Sequence, residues 1–279
     1  MKKEVEEIQV LLRYEADRHL VGVKFIKDEM EYENCNVEEA THQMFFCMMV
    51  KAATIGHSLK VKKQHIYCSA ASKVLGFEEI TDEDFSGECQ YKRKFYENRK
   101  IAKDVADNTP YIHHKVYGMI VQPLEKYNVE PDIVISFSNP YTAMRIMQGY
   151  AWKYGVPCHL NFKGMGGICT ELMANAYKCH DISVSLLCSG TRFAGNWRDE
   201  ELGIAFPYDV FKGVLEGIQN TVNLFEPDTK KQEIMKRARE ETRNIDVIMG
   251  DNYYGSSLGV AKMGVKGYRK KKEKKCQNS

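Results

Sequence analysis

Residues 162–193 bring together thiols, a glycine-rich loop and an arginine, which are groups that could carry out chemistry. The loop contains three glycines, which admit positive φ angles and let a ligand approach the backbone closely; they are Gly164, Gly166 and Gly167. Cys169 follows at the predicted start of a helix, where free N–H groups and the helix dipole favour a thiolate. The stretch therefore predicts a site at which thiol chemistry and backbone donors meet.

A second cysteine lies where a predicted strand ends. Residues 182–187 form an apolar run that predicts a buried strand, and Cys188 follows it directly. Arg192 comes soon after and could hold a carboxylate or phosphate of a small ligand in a bidentate fork. An ordinary surface arginine is an equally good interpretation. Because sites are often built on loops at strand ends, we expect the chemistry in this region.

Nine cysteines are a high and odd number for a chain of 279 residues. The N-terminus lacks the pattern of a secretory signal, so a disulfide framework is the poorer interpretation. Metal or cluster ligation, redox chemistry and simple burial as small hydrophobic side chains all remain open. No pair has the C-x-x-C spacing of a zinc ribbon or a ferredoxin. A metal site would therefore have to be assembled from separate elements.

Four of the cysteines have local settings suited to such a site: Cys47, Cys68, Cys169 and Cys188. Cys47 lies on the apolar face of a helix predicted over residues 39–55, and Cys68 precedes a helix predicted over residues 69–74. Four thiolates can hold a [4Fe–4S] cluster, and N–H groups of the glycine loop could donate to its sulfides. Packing as a buried thiol is an equally good interpretation for any single one of them.

The rest of the chain predicts a mixed α and β fold, with a central sheet flanked by helices. Strands are expected over residues 21–26, 58–62, 117–121, 132–137, 155–162, 182–187 and 202–206. Further helices are expected over residues 3–19, 91–105, 141–154, 207–224 and 229–247. We predict a single globular α/β domain over residues 1–248 and a flexible basic tail over residues 249–279.

Composition and charge limit the classes of partner. The net charge is +2, and part of it comes from the run RKKKEKK at residues 269–275, so the body of the chain is close to neutral. We therefore expect no specific nucleic-acid surface. No apolar stretch approaches membrane-spanning length, which predicts a cytoplasmic protein without membrane contact. The glycine loop lacks the Rossmann and P-loop spacings, which argues against a nucleotide site.

Several short motifs, in order along the chain, resemble those of a known family. They are the strand Val21–Phe25 (VGVKF), Cys47–Gly56 as C-x-x-x-K-x-A-x-x-G, His65–Phe77 as H-x-x-C…LGF, Pro131–Met144 as P-D followed by an apolar run and P-x-x-A-M, and Cys169 with Ser185–Arg192 as C…S-x-x-C-x-G-x-R. The chain resembles the domain of unknown function 169 family, which is common in anaerobic archaea and bacteria, over about residues 20–225.

The resemblance implies that Cys47, Cys68, Cys169 and Cys188 belong together, because all four fall on motif cysteines. It implies no reaction. The family usually follows its second cysteine with Pro and Gly, where this chain has Ser69, Ala70 and Ala71. That departure bears on how open the site is.

The functional hypothesis is an iron–sulfur protein that carries out reductive or redox chemistry on a small anionic substrate in an anaerobe, as a redox enzyme or a lyase. Arg192 and Lys51 are expected to hold the substrate, and an electron donor such as a ferredoxin is the expected protein partner. One alternative is a cluster carrier or structural zinc protein without turnover. Another is a metal-free enzyme in which Cys169 is the nucleophile.

Overall fold

The computed structural model describes residues 2–12, 14 and 18–221. Residues 1–219 form one compact unit. The description below concerns this unit, and only the last residue of the final helix lies beyond it. The helix predicted over residues 229–247, the boundary at residue 248 and the tail over residues 249–279 lie outside the described residues, so those predictions stay open.

Six strands form one central sheet: β1 (Val21–Ile26), β2 (Leu59–Lys62), β3 (Gly118–Pro123), β4 (Ile133–Ser138), β5 (Ser183–Ser185) and β6 (Leu202–Pro207). Their order is β2-β3-β1-β4-β6-β5, and every neighbouring pair is antiparallel. In the centre, Val23 lies opposite Val121 on one side and Ile133 on the other. The prediction of a mixed α and β fold around a central sheet is confirmed.

The helices follow the chain as α1 (Lys2–Leu11), α2 (Glu29–Glu33), α3 (Phe46–Thr54), α4 (Ser69–Val74), α5 (Asp82–Ser86), α6 (Glu88–Lys92), α7 (Arg99–Asp107), α8 (Pro140–Tyr154), α9 (Asn175–Cys179), α10 (Ser189–Gly195) and α11 (Tyr208–Asn220). A π-helix, Gly167–Ala174, runs directly into α9. Two short 3-10 turns cover Lys63–His65 and Leu124–Lys126. No helix in this described part of the chain is both long and apolar enough to span a bilayer.

Alternation along the strands divides the apolar side chains between the two faces of the sheet. On β4, Ile133, Ile135 and Phe137 belong to a core that also contains residues of α3, α4 and the π-helix. Val134, between them, belongs to a second core with residues of α1, α8 and α11. The sheet is therefore covered by helices on both faces, and the candidate cysteines lie with the first of these helical layers.

The helix predicted over residues 39–55 begins later than expected, at Phe46. The segment before it instead runs beside β2, where the N–H of Lys60 donates to the carbonyl of Glu38 at 2.8 Å. The N–H of Ala40 donates to the carbonyl of Lys60 at 3.0 Å. These bonds satisfy backbone groups along the outer edge of β2, which outweighs the helical pattern of the sequence.

Four other predictions of secondary structure are wrong in extent or in kind. The helix expected over residues 3–19 ends at Leu11, and the strand expected over residues 182–187 covers only Ser183–Ser185. Residues 155–162 form no strand; Gly155 ends α8 with a φ of +85°, and the chain then runs irregularly to the glycine loop. The helix expected over residues 91–105 is divided, because Lys94 takes a left-handed φ of +59° and Asn98 caps a new helix, α7. At Lys94 a positive φ interrupts a helical pattern that looked regular in the sequence.

Candidate functional site

Each of the four candidate cysteines lies on a different helix or immediately before one. Cys47 is the second residue of α3, Cys68 directly precedes α4, Cys169 lies within the π-helix, and Cys188 directly precedes α10. All four side chains are half-buried and none is in a disulfide. Cys47, Cys68 and Cys169 pack against the same apolar core on one face of the sheet.

The four thiols are close enough to act on one another electrostatically. Burial raises the pKa of Cys169 to about 12, a value to which negative charge on Cys68, Cys188 or Cys47 also contributes. Burial likewise raises the pKa of Cys47 to about 11, with the next largest contribution from Cys188. The structure thus brings together four residues that the sequence places on separate elements.

The raised pKa values alter one expectation from the sequence. Cys169 was expected to be a stabilised thiolate at a helix start, but it is the third residue of the π-helix and its thiol is desolvated. Burial therefore outweighs the favourable effect of a helix terminus on the charged form. Without a nearby cation this thiol is protonated at neutral pH, which makes it a poor nucleophile.

Thr191 connects two of the cysteines. Its backbone N–H donates to Sγ of Cys188 at 3.3 Å, and the thiol of Cys188 donates to Oγ1 of Thr191 at 3.2 Å. A hydrogen bond between Thr191 and Cys47 lowers the pKa of that thiol against the effect of burial. The first turn of α10 therefore orients Cys188 and reaches across to α3.

The backbone just before Cys188 is strained. Leu187 is buried and takes a φ of +66°, a left-handed conformation that L-residues adopt at a cost of roughly 1–2 kcal/mol. Its N–H donates to Oγ of Ser185 at 3.0 Å, which helps to hold this turn between β5 and α10. The turn directs Cys188 towards the π-helix.

The three glycines of the loop have different roles. Gly167 packs against the cysteine group, since a Cβ there would lie 3.1 Å from Sγ of Cys188 and would collide with Oγ1 of Thr191. A Cβ on Gly166 would lie 2.8 Å from Cβ of Thr170, and Gly164 is needed for its φ of +68°. Of the three, Gly167 is the one that the structure places beside a candidate ligand.

Glu171 anchors the glycine loop, a role that the sequence analysis missed. It is only 2 % exposed, and its Oε1 accepts hydrogen bonds from the N–H groups of Lys163 (2.9 Å) and Gly164 (2.8 Å). Its Oε2 accepts a hydrogen bond from Ser185. The pattern that could have indicated it is a lone glutamate within the apolar run GICTELMA, since a carboxylate buried there needs hydrogen-bond partners.

Lys163 holds the same loop from the other side. Its Nζ donates to the carbonyls of Val105 (3.2 Å) and Asn108 (2.5 Å) and to Oγ1 of Thr109 (3.0 Å), at the C-terminal end of α7. Burial lowers the pKa of Lys163 to about 8. The loop is therefore fixed by two charged groups of opposite sign.

Arg192 has structural contacts. Its Nη1 donates to the carbonyl of Arg198 at 2.8 Å, and its Nη2 donates to the carbonyls of Leu186 (2.7 Å) and Glu201 (3.0 Å). The guanidinium thus joins the end of β5 to the segment that leads into β6. Its predicted part in substrate binding stays a prediction.

Lys51 lies one helical turn after Cys47 on α3. Its ammonium is 4.1 Å from the centre of the Trp197 ring, in a cation–π contact. Trp197 in turn stacks on Phe137, with ring centres 3.9 Å apart and planes inclined by 21°. Sequence analysis did not identify Trp197, because nothing in its local pattern indicates a partner on α3.

The donor chemistry fits a soft metal centre, but the arrangement is not that of a single bound ion. Thiols are the ligands that iron–sulfur clusters and zinc prefer. Across residues 2–12, 14 and 18–221, no group of three or more His, Cys, Asp or Glu side chains is arranged to hold one metal ion.

Comparisons with known proteins agree with the motif resemblance. The profile of the domain of unknown function 169 family, described as uncharacterised ArCR, matches residues 11–217, a range that includes all four cysteines. An uncharacterised protein of Methanocaldococcus jannaschii, MJ0308, is 24% identical over 210 residues, which cover 73% of this chain and 88% of the relative. No solved structure shows a significant match. Since the family profile covers well over half of the sequence, the chain belongs to the domain of unknown function 169 family.

Proposed function

We propose that this protein binds a [4Fe–4S] cluster through Cys47, Cys68, Cys169 and Cys188 and uses it for redox chemistry on a small anionic substrate. The observation that carries the proposal is the gathering of four thiols from four separate elements within mutual electrostatic reach. The setting proposed for this activity is the cytoplasm of an anaerobe.

The placement of the four cysteines at separate elements is the reason to propose a cluster in preference to zinc. Tetrahedral zinc, with Zn–S bonds of about 2.3 Å, needs sulfurs only roughly 3.8 Å apart. A cluster binds each thiolate to a different iron and therefore needs more widely spaced cysteines. Cysteines carried by or next to α3, α4, the π-helix and α10 suit the second requirement better.

A cluster held by all four cysteines would supply one-electron transfer. The chain's own contribution is to position the ligands and exclude water. Thr191 orients Cys188, and the absence of a side chain at Gly167 leaves room beside that sulfur. Lys51 brings a positive charge to the same helix as Cys47, where it would favour an anion. Electrons would come from a protein donor such as a ferredoxin.

The test is purification and reconstitution of the full chain under anaerobic conditions, with iron, acid-labile sulfide and zinc measured on one sample. We expect broad absorption near ~400 nm and iron equal to sulfide. Each of Cys47→Ser, Cys68→Ser, Cys169→Ser and Cys188→Ser should reduce the iron content or shift the spectrum.

The matched control is Cys35→Ser, at another half-buried thiol, which donates to the carbonyl of Glu31 at 3.1 Å on the opposite face of the sheet. It should leave iron and sulfide unchanged. A colourless protein with one zinc per chain would contradict the cluster and indicate a structural zinc site. A protein that takes up neither metal would remove the common role of the four cysteines.

A further inference from the structure

Two buried threonine hydroxyls lie next to two of the candidate cysteines. Thr170 is 8% exposed and Thr191 is 4% exposed. Thr170 directly follows Cys169 in the π-helix, and Thr191 is the third residue of α10, three positions after Cys188. A hydroxyl has one hydrogen to donate and two lone pairs that accept, so a buried one needs a partner. The described part of the protein offers a thiol to each of them.

The partner of Thr170 is the thiol of Cys169. Oγ1 of Thr170 lies 3.6 Å from Sγ of Cys169, and either atom can be the donor. This is the only hydrogen bond that the hydroxyl makes with residues 2–12, 14 and 18–221. A Cβ on Gly166 would lie 3.0 Å from the same oxygen, so the glycine loop packs against it. The hydroxyl is therefore held beside the thiol without a competing partner among these residues.

Thr191 contacts Cys188 through two of its atoms. Its backbone N–H donates to Sγ at 3.3 Å, and the thiol donates to its Oγ1 at 3.2 Å. A Cβ on Gly167 would collide with the same oxygen, so the first residue of the π-helix holds it in place. The two threonines thus repeat one arrangement, in which a loop glycine packs against a hydroxyl that bonds to a cysteine.

Ligation to iron would make both hydroxyls donors. A cysteine bound to iron is a thiolate, which has no hydrogen to donate and can only accept. The hydroxyl hydrogens of Thr170 and Thr191 can rotate towards the sulfurs, because such a hydrogen turns to suit its partners. The oxygen–sulfur distances already lie within hydrogen-bonding range, so the backbone need not move.

Donors to cluster sulfurs change the free energy of electron uptake. Reduction adds a negative charge to the cluster, and hydrogen bonds to the sulfurs are among the features that set its potential. A donor stabilises the more negative, reduced state more than the oxidised state, so the potential rises. Burial strengthens the effect, because Cys169 is desolvated and a hydrogen bond is electrostatically stronger in a medium of low dielectric.

We propose that Thr170 and Thr191 are positioning residues that donate hydrogen bonds to the thiolates of Cys169 and Cys188 and raise the reduction potential of the bound cluster. This role rests on the proposed function, because it needs the cluster. It is distinct from ligation, since neither threonine binds iron.

The experiment compares the reduction potentials of reconstituted full-length proteins by anaerobic redox titration, followed by absorption. Thr170→Val and Thr191→Val keep the shape of the side chain and remove the hydroxyl. We expect each to be at least threefold harder to reduce, a shift of about 28 mV or more towards lower potential for a one-electron couple. Thr170→Ser and Thr191→Ser keep the hydroxyl and should stay near the potential of the parent.

Thr54→Val is the matched control. Thr54 is fully buried on α3, the helix that carries Cys47, and its hydroxyl donates to the carbonyl of Lys51 at 2.6 Å. Its removal should leave the potential unchanged. Equal potentials in the parent and in both valine variants at Thr170 and Thr191 would overturn the tuning role. Serine variants with potentials as low as those of the valine variants would overturn it too, because the effect would then come from packing.

A measurement on the metal-free protein separates this role from the proposed function. The infrared S–H stretch reports whether a thiol donates a hydrogen bond, and Cys188→Ser identifies the band of Cys188. Thr191→Val should move that band to higher frequency, whereas Thr54→Val should leave it in place. An unmoved band in Thr191→Val would overturn the contact between hydroxyl and thiol, whether or not a cluster binds. A parent with the hydrogen-bonded band but no cluster after reconstitution would contradict the proposed function and, with it, the tuning of a potential.

Discussion

Among single residues near the cysteines, Gly167 has the least room for a larger side chain. Gly167 lies against Cys188 and Thr191 so closely that a methyl group would have to displace one of them. Backbone packed this tightly against a thiol also limits the water that reaches the thiol. The position therefore bears on both stability and metal uptake.

We expect Gly167→Ala to destabilise the protein by roughly 1–3 kcal/mol, as overpacking does in other well-packed sites. It should also lower the iron bound after reconstitution. Gly190→Ala is the matched control, because a Cβ there meets only Sγ of Cys188 at 3.9 Å and lies within α10. Urea unfolding of both variants measures the difference. Equal stability of the two would contradict the close approach at Gly167.

Glu171 is the second residue with a testable role. Glu171→Gln keeps the size of the side chain but gives up the charge and one acceptor oxygen, so the hydrogen bonds to the loop or to Ser185 must weaken. We expect a loss of about 1–3 kcal/mol in the free energy of unfolding. Hydrogen exchange should quicken at Lys163 and Gly164 first; unchanged exchange at both would argue against the anchoring role.

Among the helices and strands, the sequence predicted the bounds best where a local pattern alone determines them. β1 and α4 have the predicted bounds, 21–26 and 69–74, because alternation and a helix start are local signals. The start of α3 and the absence of a strand over residues 155–162 depend on what lies beside them. Pairing with a distant edge strand leaves no mark in a short window of sequence.

The candidate site was predictable to a similar extent. Helix starts and motif resemblance selected the four cysteines that the fold gathers, although spacing alone could not show that they meet. The contacts of Arg192 with three carbonyls were not predictable, because an arginine that binds a ligand and one that binds backbone look the same in sequence. Trp197 was missed because its partners are on other elements, whereas Glu171 had a local signal, a lone glutamate in an apolar run.

The contact that Lys163 makes between the glycine loop and the end of α7 should contribute to stability in a pH-dependent way. Burial lowers the pKa of Lys163 to about 8, below its value in the unfolded chain. Between about pH 8 and 10 the unfolded state therefore binds more protons, and stability should rise with pH. The melting temperature of the parent minus that of Lys163→Met should grow over this range.

Lys212→Met provides the comparison for that measurement. The hydrogen bond that Lys212 donates to Glu130 raises the pKa of that lysine, so it stays mostly protonated in both states between pH 8 and 10. The corresponding difference in melting temperature should be flat across the range. A flat difference for Lys163→Met as well would show that its ammonium is solvated in the folded protein.

Across the whole molecule, a cluster would join α3, α4, the π-helix and α10 over one face of the sheet. A ligand that binds only the folded state stabilises it, and a site absent from the unfolded chain couples binding to folding. We expect the melting temperature of the reconstituted protein to exceed that of the metal-free protein by more than about 5 °C. Cys68→Ser should remove most of this gap, whereas Cys35→Ser should preserve it.

The spread of these cysteines along the chain also has a consequence for synthesis. About half the length of the protein separates Cys47 from Cys188. The strands β3 and β4 are made after Cys47 and before Cys188. A ribosome therefore exposes Cys47 and Cys68 while their two partners do not yet exist. Insertion of the proposed cluster would have to wait until about two thirds of the chain has been made, and a nascent protein would depend on its surroundings to keep its first thiols reduced.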